Sequence, residues 1–299
     1  MIPGWFADAV ATVPERHDID LDGVGIHVRT WGDPAALPVV LVHGGGAHSG
    51  WWNHIAPYLT GTHYVIAPDL SGHGDSDVRD SYAVQTWASE VFAVAQAMSG
   101  PRRPTIVGHS LGGWIAAAAA RSFADRIDSV LIIDSPPWDE VPENERIQNR
   151  NHKRYGSKAE IVRRFAPFPA QRTVLPYVAE HIAAESVEPI GGEWTWKFDP
   201  AAFGDHLRDP MPSAAFDRLE PLPTRLTDRM GYVRCEKGQA SAPMAGRLRS
   251  VLGMNGPYVE LVDAGHHPML DQPLPLIAAL RAVLDSWSRT RPQGGESTA

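Results

Sequence analysis

The sequence predicts an α/β architecture: a mostly parallel, twisted sheet covered by helices and interrupted by a helical insertion. Three observations predict it. Short apolar runs bounded by turn residues alternate with helical patterns over most of the 299 residues, as expected of strands joined by crossover helices. One of these runs leads through Gly108-His109-Ser110-Leu111-Gly112 into an alanine-rich stretch, so a serine stands at a tight strand-to-helix turn. Between about Pro136 and Pro223 the alternation stops, and prolines, aromatics and charges break the chain into short helical patches.

Asp22-Gly23 supplies turn chemistry directly ahead of Val24–Thr30, which reads as an early hairpin strand. Val39–Val42 is short and wholly apolar, the pattern of a strand buried on both faces of a parallel sheet. Tyr64–Ala67, Thr105–Val107, Val130–Ile133, Gly231–Cys235 and Tyr258–Val262 continue the series. Helical patterns lie between them at Trp51–Leu59, Tyr82–Met98, Leu111–Phe123 and Pro273–Trp287. Inside the insertion Lys158–Phe165 and Val174–Glu185 read as helices, and no strand is evident. The expected organisation is a core of residues 1–135 and 224–290, a helical cap of 136–223, and a flexible tail of 291–299.

Composition narrows the functional classes. A hydrophobic content of 43% with 21% charged residues is that of an ordinary globular protein. The net charge of −8 and the lack of a Lys/Arg cluster argue against nucleic acid. The single cysteine, Cys235, excludes an intrachain disulfide and a cysteine-based zinc site. No metal-ligand spacing and no dinucleotide fingerprint appear, so no cofactor and no metal are expected. The first residues carry no secretory signature, and no stretch reaches the roughly 18 apolar residues of a membrane span. The expectation is a cytoplasmic monomer or homodimer that contacts neither membrane nor nucleic acid.

Three further features suit a nucleophilic serine. Leu41-Val42-His43-Gly44-Gly45-Gly46 is a buried strand ending in glycines, whose backbone can approach a reacting centre and aim its amides inward. The N–H of Gly45, or of Gly46, paired with that of Leu111 is the expected oxyanion hole. Asp263-Ala264-Gly265-His266-His267 follows the last strand, and a serine needs a base to take its proton. His266 is the expected base, with His267 as the alternative; His109 is read as structural, and His43, His48, His54 and His73 as supporting loop residues. Asp134 ends the apolar run Leu131-Ile132-Ile133, at the carboxyl end of a strand where sites of open α/β sheets gather. A carboxylate there costs desolvation unless it is paired, and a histidine would pair it. Glu236 and Asp263 are the alternative acids.

Together with Pro68-Asp69-Leu70-Ser71-Gly72-His73-Gly74-Asp75-Ser76, these motifs resemble the α/β-hydrolase fold superfamily over about residues 20–288. The order Ser110, Asp134, His266 agrees with the superfamily's order of nucleophile, acid and base. The early acid departs from the commonest pattern, in which the acid follows the strand near Gly231; Gly238 and Gln239 stand there instead. The departure is similar to a minority that includes some short-chain esterases and mycotoxin lactonases. The resemblance implies a carboxylic ester hydrolase, esterase or lactonase, and the aromatic residues of the cap suggest a closed apolar pocket for a medium-sized small-molecule ester or lactone. A C–C bond hydrolase, an amidase, a perhydrolase, a cofactor-free dioxygenase and a silent ligand-binding protein are the alternatives on this scaffold. Gly46, Trp51, Trp138, Trp194, Trp196 and His267 are the candidate pocket residues.

Overall fold

The computed structural model describes residues 2–136, 153–203 and 223–290. Strands β1 (Glu15–Leu21), β2 (Val24–Trp31), β3 (Leu37–Val42), β4 (His63–Pro68), β5 (Thr105–His109), β6 (Ser129–Ile133), β9 (Met230–Lys237) and β10 (Tyr258–Gly265) form one eight-stranded sheet. Its order is β1-β2-β4-β3-β5-β6-β9-β10. β2 pairs antiparallel with β1 and with β4, and every later pair is parallel. The Trp138 reading and the tail at 291–299 fall outside the described residues.

The two-residue period of a strand divides the core between two faces. Val40, Val42, Ile106, Val130 and Ile132 point to the side covered by α2 (Val84–Ser99) and α3 (Leu111–Ser122). Val39, Leu41, Val107, Leu131 and Ile133 point to the side covered by α1 (Gly4–Ala11) and the C-terminal helix Pro273–Arg289. This is why β3, β5 and β6 read as unbroken apolar runs: neither face meets water.

Several elements differ from the sequence reading. Trp51–Leu59 is two 3₁₀ turns, Ser49–Trp52 and Ala56–Leu59, rather than one helix. Pro57 lacks the N–H that an α-helix would need there, and the first turn is capped by His48 Nδ1, which accepts from Gly50 N. The insertion, read without strands, carries a hairpin of β7 (Val187–Ile190) and β8 (Glu193–Trp196) beside α4 (Lys158–Val162) and α5 (Pro176–Glu185). Its turn is Gly191-Gly192 at φ 59° and 86°, the left-handed pair that a tight hairpin requires. The strand β1 and the helix Ala242–Val251, started by Ser241 Oγ accepting from Met244 N, also lay outside the reading.

Three buried histidines predict a loss of stability in acid. Burial holds His43 and His54 down to about 4 and His73 down to about 3, against an ordinary value of 6.5. Below pH 6.5 the unfolded chain takes up protons that the folded chain refuses, so stability is complete above that value and falls as pH drops toward 4. Urea midpoints measured from pH 7.5 to 4.5 should decrease steadily below 6.5, and a flat profile would contradict the burial of these rings as neutral groups.

Candidate active site

The turn between β5 and α3 sets the serine apart from its neighbours. Ser110 adopts φ 54° and ψ −119°, a conformation that an L side chain holds only under constraint. The constraint is visible on both sides of it. A Cβ on Gly108 would stand 2.0 Å from Gly112 O, and one on Gly112 would stand 2.4 Å from Val42 O. Ser110 N donates to Ile133 O at 3.0 Å, and Ser135 Oγ donates to Ser110 O at 2.7 Å, so β6 and the residues after it clamp the elbow.

The loop after β10 brings a histidine to that serine. His266 Nε2 lies 3.0 Å from Ser110 Oγ, and His266 Nδ1 lies 2.7 Å from Asp134 Oδ2. With the Nδ1 proton directed at the carboxylate, the Nε2 lone pair faces the hydroxyl. His109 Nε2 donates to the His266 carbonyl at 2.7 Å, which anchors the loop from beneath; its ring is held down to about 3 by burial. Its side chain therefore braces the backbone of His266.

Asp134 is wholly buried at φ 45°, with its charge met from several directions. Besides His266, its oxygens accept from Gln239 N at 2.8 Å and Cys235 N at 3.3 Å. A Cβ on Gly238 would come within 2.2 Å of Asp134 Oδ2. The glycine at the position where the acid more often stands is thus what makes room for the carboxylate from β6. The two alternative acids are engaged elsewhere: Glu236 Oε2 accepts from Asp263 N at 2.8 Å, and Asp263 pairs with Lys237 at the surface.

The glycine loop lies against the same centre. A Cβ on Gly44 would stand 3.2 Å from Ser110 Cβ and 3.0 Å from His109 Nδ1. His43 holds the loop, donating from Nδ1 to Gly44 O at 2.7 Å while Nε2 accepts from Leu70 N at 3.0 Å. Gly46 turns at φ 71°. Leu111 is the first residue of α3, so its N–H has no carbonyl one turn back and points with the positive end of the helix toward the serine.

A cavity of about 260 Å³ opens beside this centre. Gly45, Gly46, Trp51, Trp196 and His267, all singled out from the sequence, line it together with Phe165. Trp194 does not. It lies two residues nearer the hairpin turn, about 7 Å further along the strand; like Trp196 it packs against the small cluster of Tyr155, Ile161 and Val187, but it does not reach the cavity. Lys153, Arg164 and Lys197, which carried no pattern in the sequence, also line the cavity, and no carboxylate does among the described residues. Lys197 is engaged by Asp75.

Fold and site together define a class. Residues 39–280 match the model of the Alpha/beta hydrolase family, and the chain belongs to that family. It is 27% identical to Esterase Rv0045c of Mycobacterium tuberculosis over 277 residues, 87% of each chain. It is 38% identical to the protein Rv2715 of the same organism over 98 residues, a stretch that spans 32% of this chain and 28% of that one. Among solved structures, E-2-(acetamidomethylene)succinate hydrolase superposes with a TM-score of 0.74 at 20% identity, covering 91% of this chain and 99% of that one. The match establishes the family, and no helix of the described residues is long and apolar enough to cross a membrane.

Proposed function

We propose that this chain hydrolyses carboxylic esters or lactones through an acyl-enzyme formed on Ser110. The observation that carries the reading is the relay Ser110 Oγ, His266, Asp134, with links of 3.0 and 2.7 Å at a strained strand-to-helix turn. His266 takes the hydroxyl proton as Ser110 attacks the carbonyl carbon, and the N–H groups of Gly45 and Leu111 receive the oxyanion. The protonated imidazole, stabilised by Asp134, then gives the proton to the leaving alkoxide. Water repeats the sequence on the acyl-enzyme, with His266 again as base, and frees the acid. The described part of the insertion, residues 153–203, acts as a cap whose aromatic side chains Phe165 and Trp196 shape the acyl site. The relationship to Esterase Rv0045c supports an ester as the substrate.

Trp51, Phe165 and Trp196 suit an apolar acyl body, while Lys153 and Arg164 suit an anionic or strongly polar far end. The reading is tested by stopped-flow hydrolysis of a medium-chain p-nitrophenyl ester. A burst of nitrophenol approaching one equivalent of enzyme, followed by slower turnover, is expected when deacylation limits. With no burst and no turnover in the wild type, the acyl-enzyme reading fails.

A further inference from the structure

The peptide that joins His266 to His267 is held at both of its polar ends, by two different parts of the chain. Its carbonyl accepts from His109 Nε2 at 2.7 Å, and His109 ends β5 directly before Ser110. Its N–H donates to Gln171 Oε1 at 2.8 Å, in the insertion. A peptide unit is planar, so fixing its oxygen and its N–H fixes the plane. On the other side of His266, Gly265 N donates to Asp271 Oδ2 at 2.6 Å. Little freedom is left in the backbone that carries the imidazole.

Gln171 grips more than one group. Its Nε2 donates to the His267 carbonyl at 3.3 Å and to Thr173 O at 3.1 Å, so a single amide spans both polar groups of the His267 backbone and steadies its own loop. Gly265 makes room for it: a Cβ there would stand 3.0 Å from Gln171 Cδ and Oε1. Neighbouring residues extend the contact along the chain. His267 Nε2 donates to Phe168 O at 3.1 Å, and Leu175 N donates to Leu270 O at 2.8 Å. The insertion therefore runs beside residues 265–270 and is bonded to them through Phe168, Gln171 and Leu175.

We propose that Gln171 is a positioning residue: through the backbone of His267 it holds the His266 imidazole in line between Ser110 and Asp134. The inference rests on His266 being the base. The links at stake are 3.0 and 2.7 Å, and a displacement of about 1 Å at such a centre costs up to about 10²-fold in rate. The bond from His109 survives when Gln171 is replaced, so a smaller loss, about 10-fold in kcat, is expected. Gln171 does not line the cavity, so KM should change little. No pattern in the sequence marks this residue, an amide 96 positions before His267 in a proline-rich stretch.

Gln171→Met and Gln171→Ala test the role, each checked for folding by its thermal melt. Methionine keeps the length and the packing against Gly265 but makes no hydrogen bonds; alanine loses both. Each should lower kcat on a p-nitrophenyl ester by about 10-fold and leave KM within about twofold. A second readout follows the relay without turnover: the low-field proton resonance of His266 Nδ1–H on Asp134, identified by its absence from His266→Ala. It should broaden or vanish in both variants at a temperature where the wild type shows it. Wild-type kcat in Gln171→Met, a raised KM with kcat intact, or a lowered kcat beside an unaltered resonance each overturns the positioning role. An enzyme inactive on every ester defeats the hydrolytic reading instead, and the resonance alone then decides for or against Gln171.

Discussion

Ser110→Ala should lower kcat on a p-nitrophenyl ester by about 10⁴-fold or more, and adding His266→Ala to that variant should cost little further. The reason lies in the shared proton. The hydroxyl and the imidazole are 3.0 Å apart, and the base has no work to do once the hydroxyl is gone. What remains is the help of the glycine loop and the N-terminus of α3 to water attack. Stability should change little, because Ser110 Oγ does not hold the elbow; its backbone does, through Ile133 O and Ser135 Oγ. Full kinetics on the two single variants and the double variant form the check. Additive losses would mean that the two side chains act separately.

The second large effect concerns the acid. Asp134→Asn should reduce kcat by about 10³–10⁴-fold, since an amide can present an N–H to His266 Nδ1 and favour the wrong tautomer. Gly238→Ala should produce a related loss by a different route. Gly238 is not in the left-handed region, so alanine meets no backbone penalty there, but its Cβ would fall 2.2 Å from Asp134 Oδ2. The carboxylate must move, and the 2.7 Å link to His266 moves with it. An expected loss of about 10²-fold in kcat with KM nearly unchanged separates this displacement from damage to the cavity. Wild-type kinetics in Gly238→Ala would show that the acid has room to spare.

Much of this site was legible because its signals are local. An elbow needs small residues on both sides of the serine, and Gly108 and Gly112 supply them; their missing side chains are replaced by backbone at 2.0 and 2.4 Å. Asp134 stood out as a charge ending an apolar strand, and its burial is matched by His266 and two amides. The parts that escaped depend on tertiary context. β1 is polar because it sits at the sheet edge beside solvent, so no apolar run announces it. β7 is four residues long and contains Pro189, which masks a hairpin whose Gly191-Gly192 turn was the available cue. Trp194 and Trp196 are equivalent in sequence and pack against the same small cluster, and only their distance from the hairpin turn separates the one in the cavity from the one beyond it. The cations Lys153 and Arg164 and the meeting of Gln171 with His267 follow from chain crossings that no spacing records.

The central claim, that Ser110 is a nucleophile activated by His266 and Asp134, is tested most directly by fluorophosphonate labelling with mass mapping of the modified peptide. The account predicts one adduct per molecule, on the Ser110 hydroxyl, absent in Ser110→Ala and strongly slowed in His266→Ala and Asp134→Asn. An unlabelled Ser110 in a protein that still hydrolyses esters would contradict it.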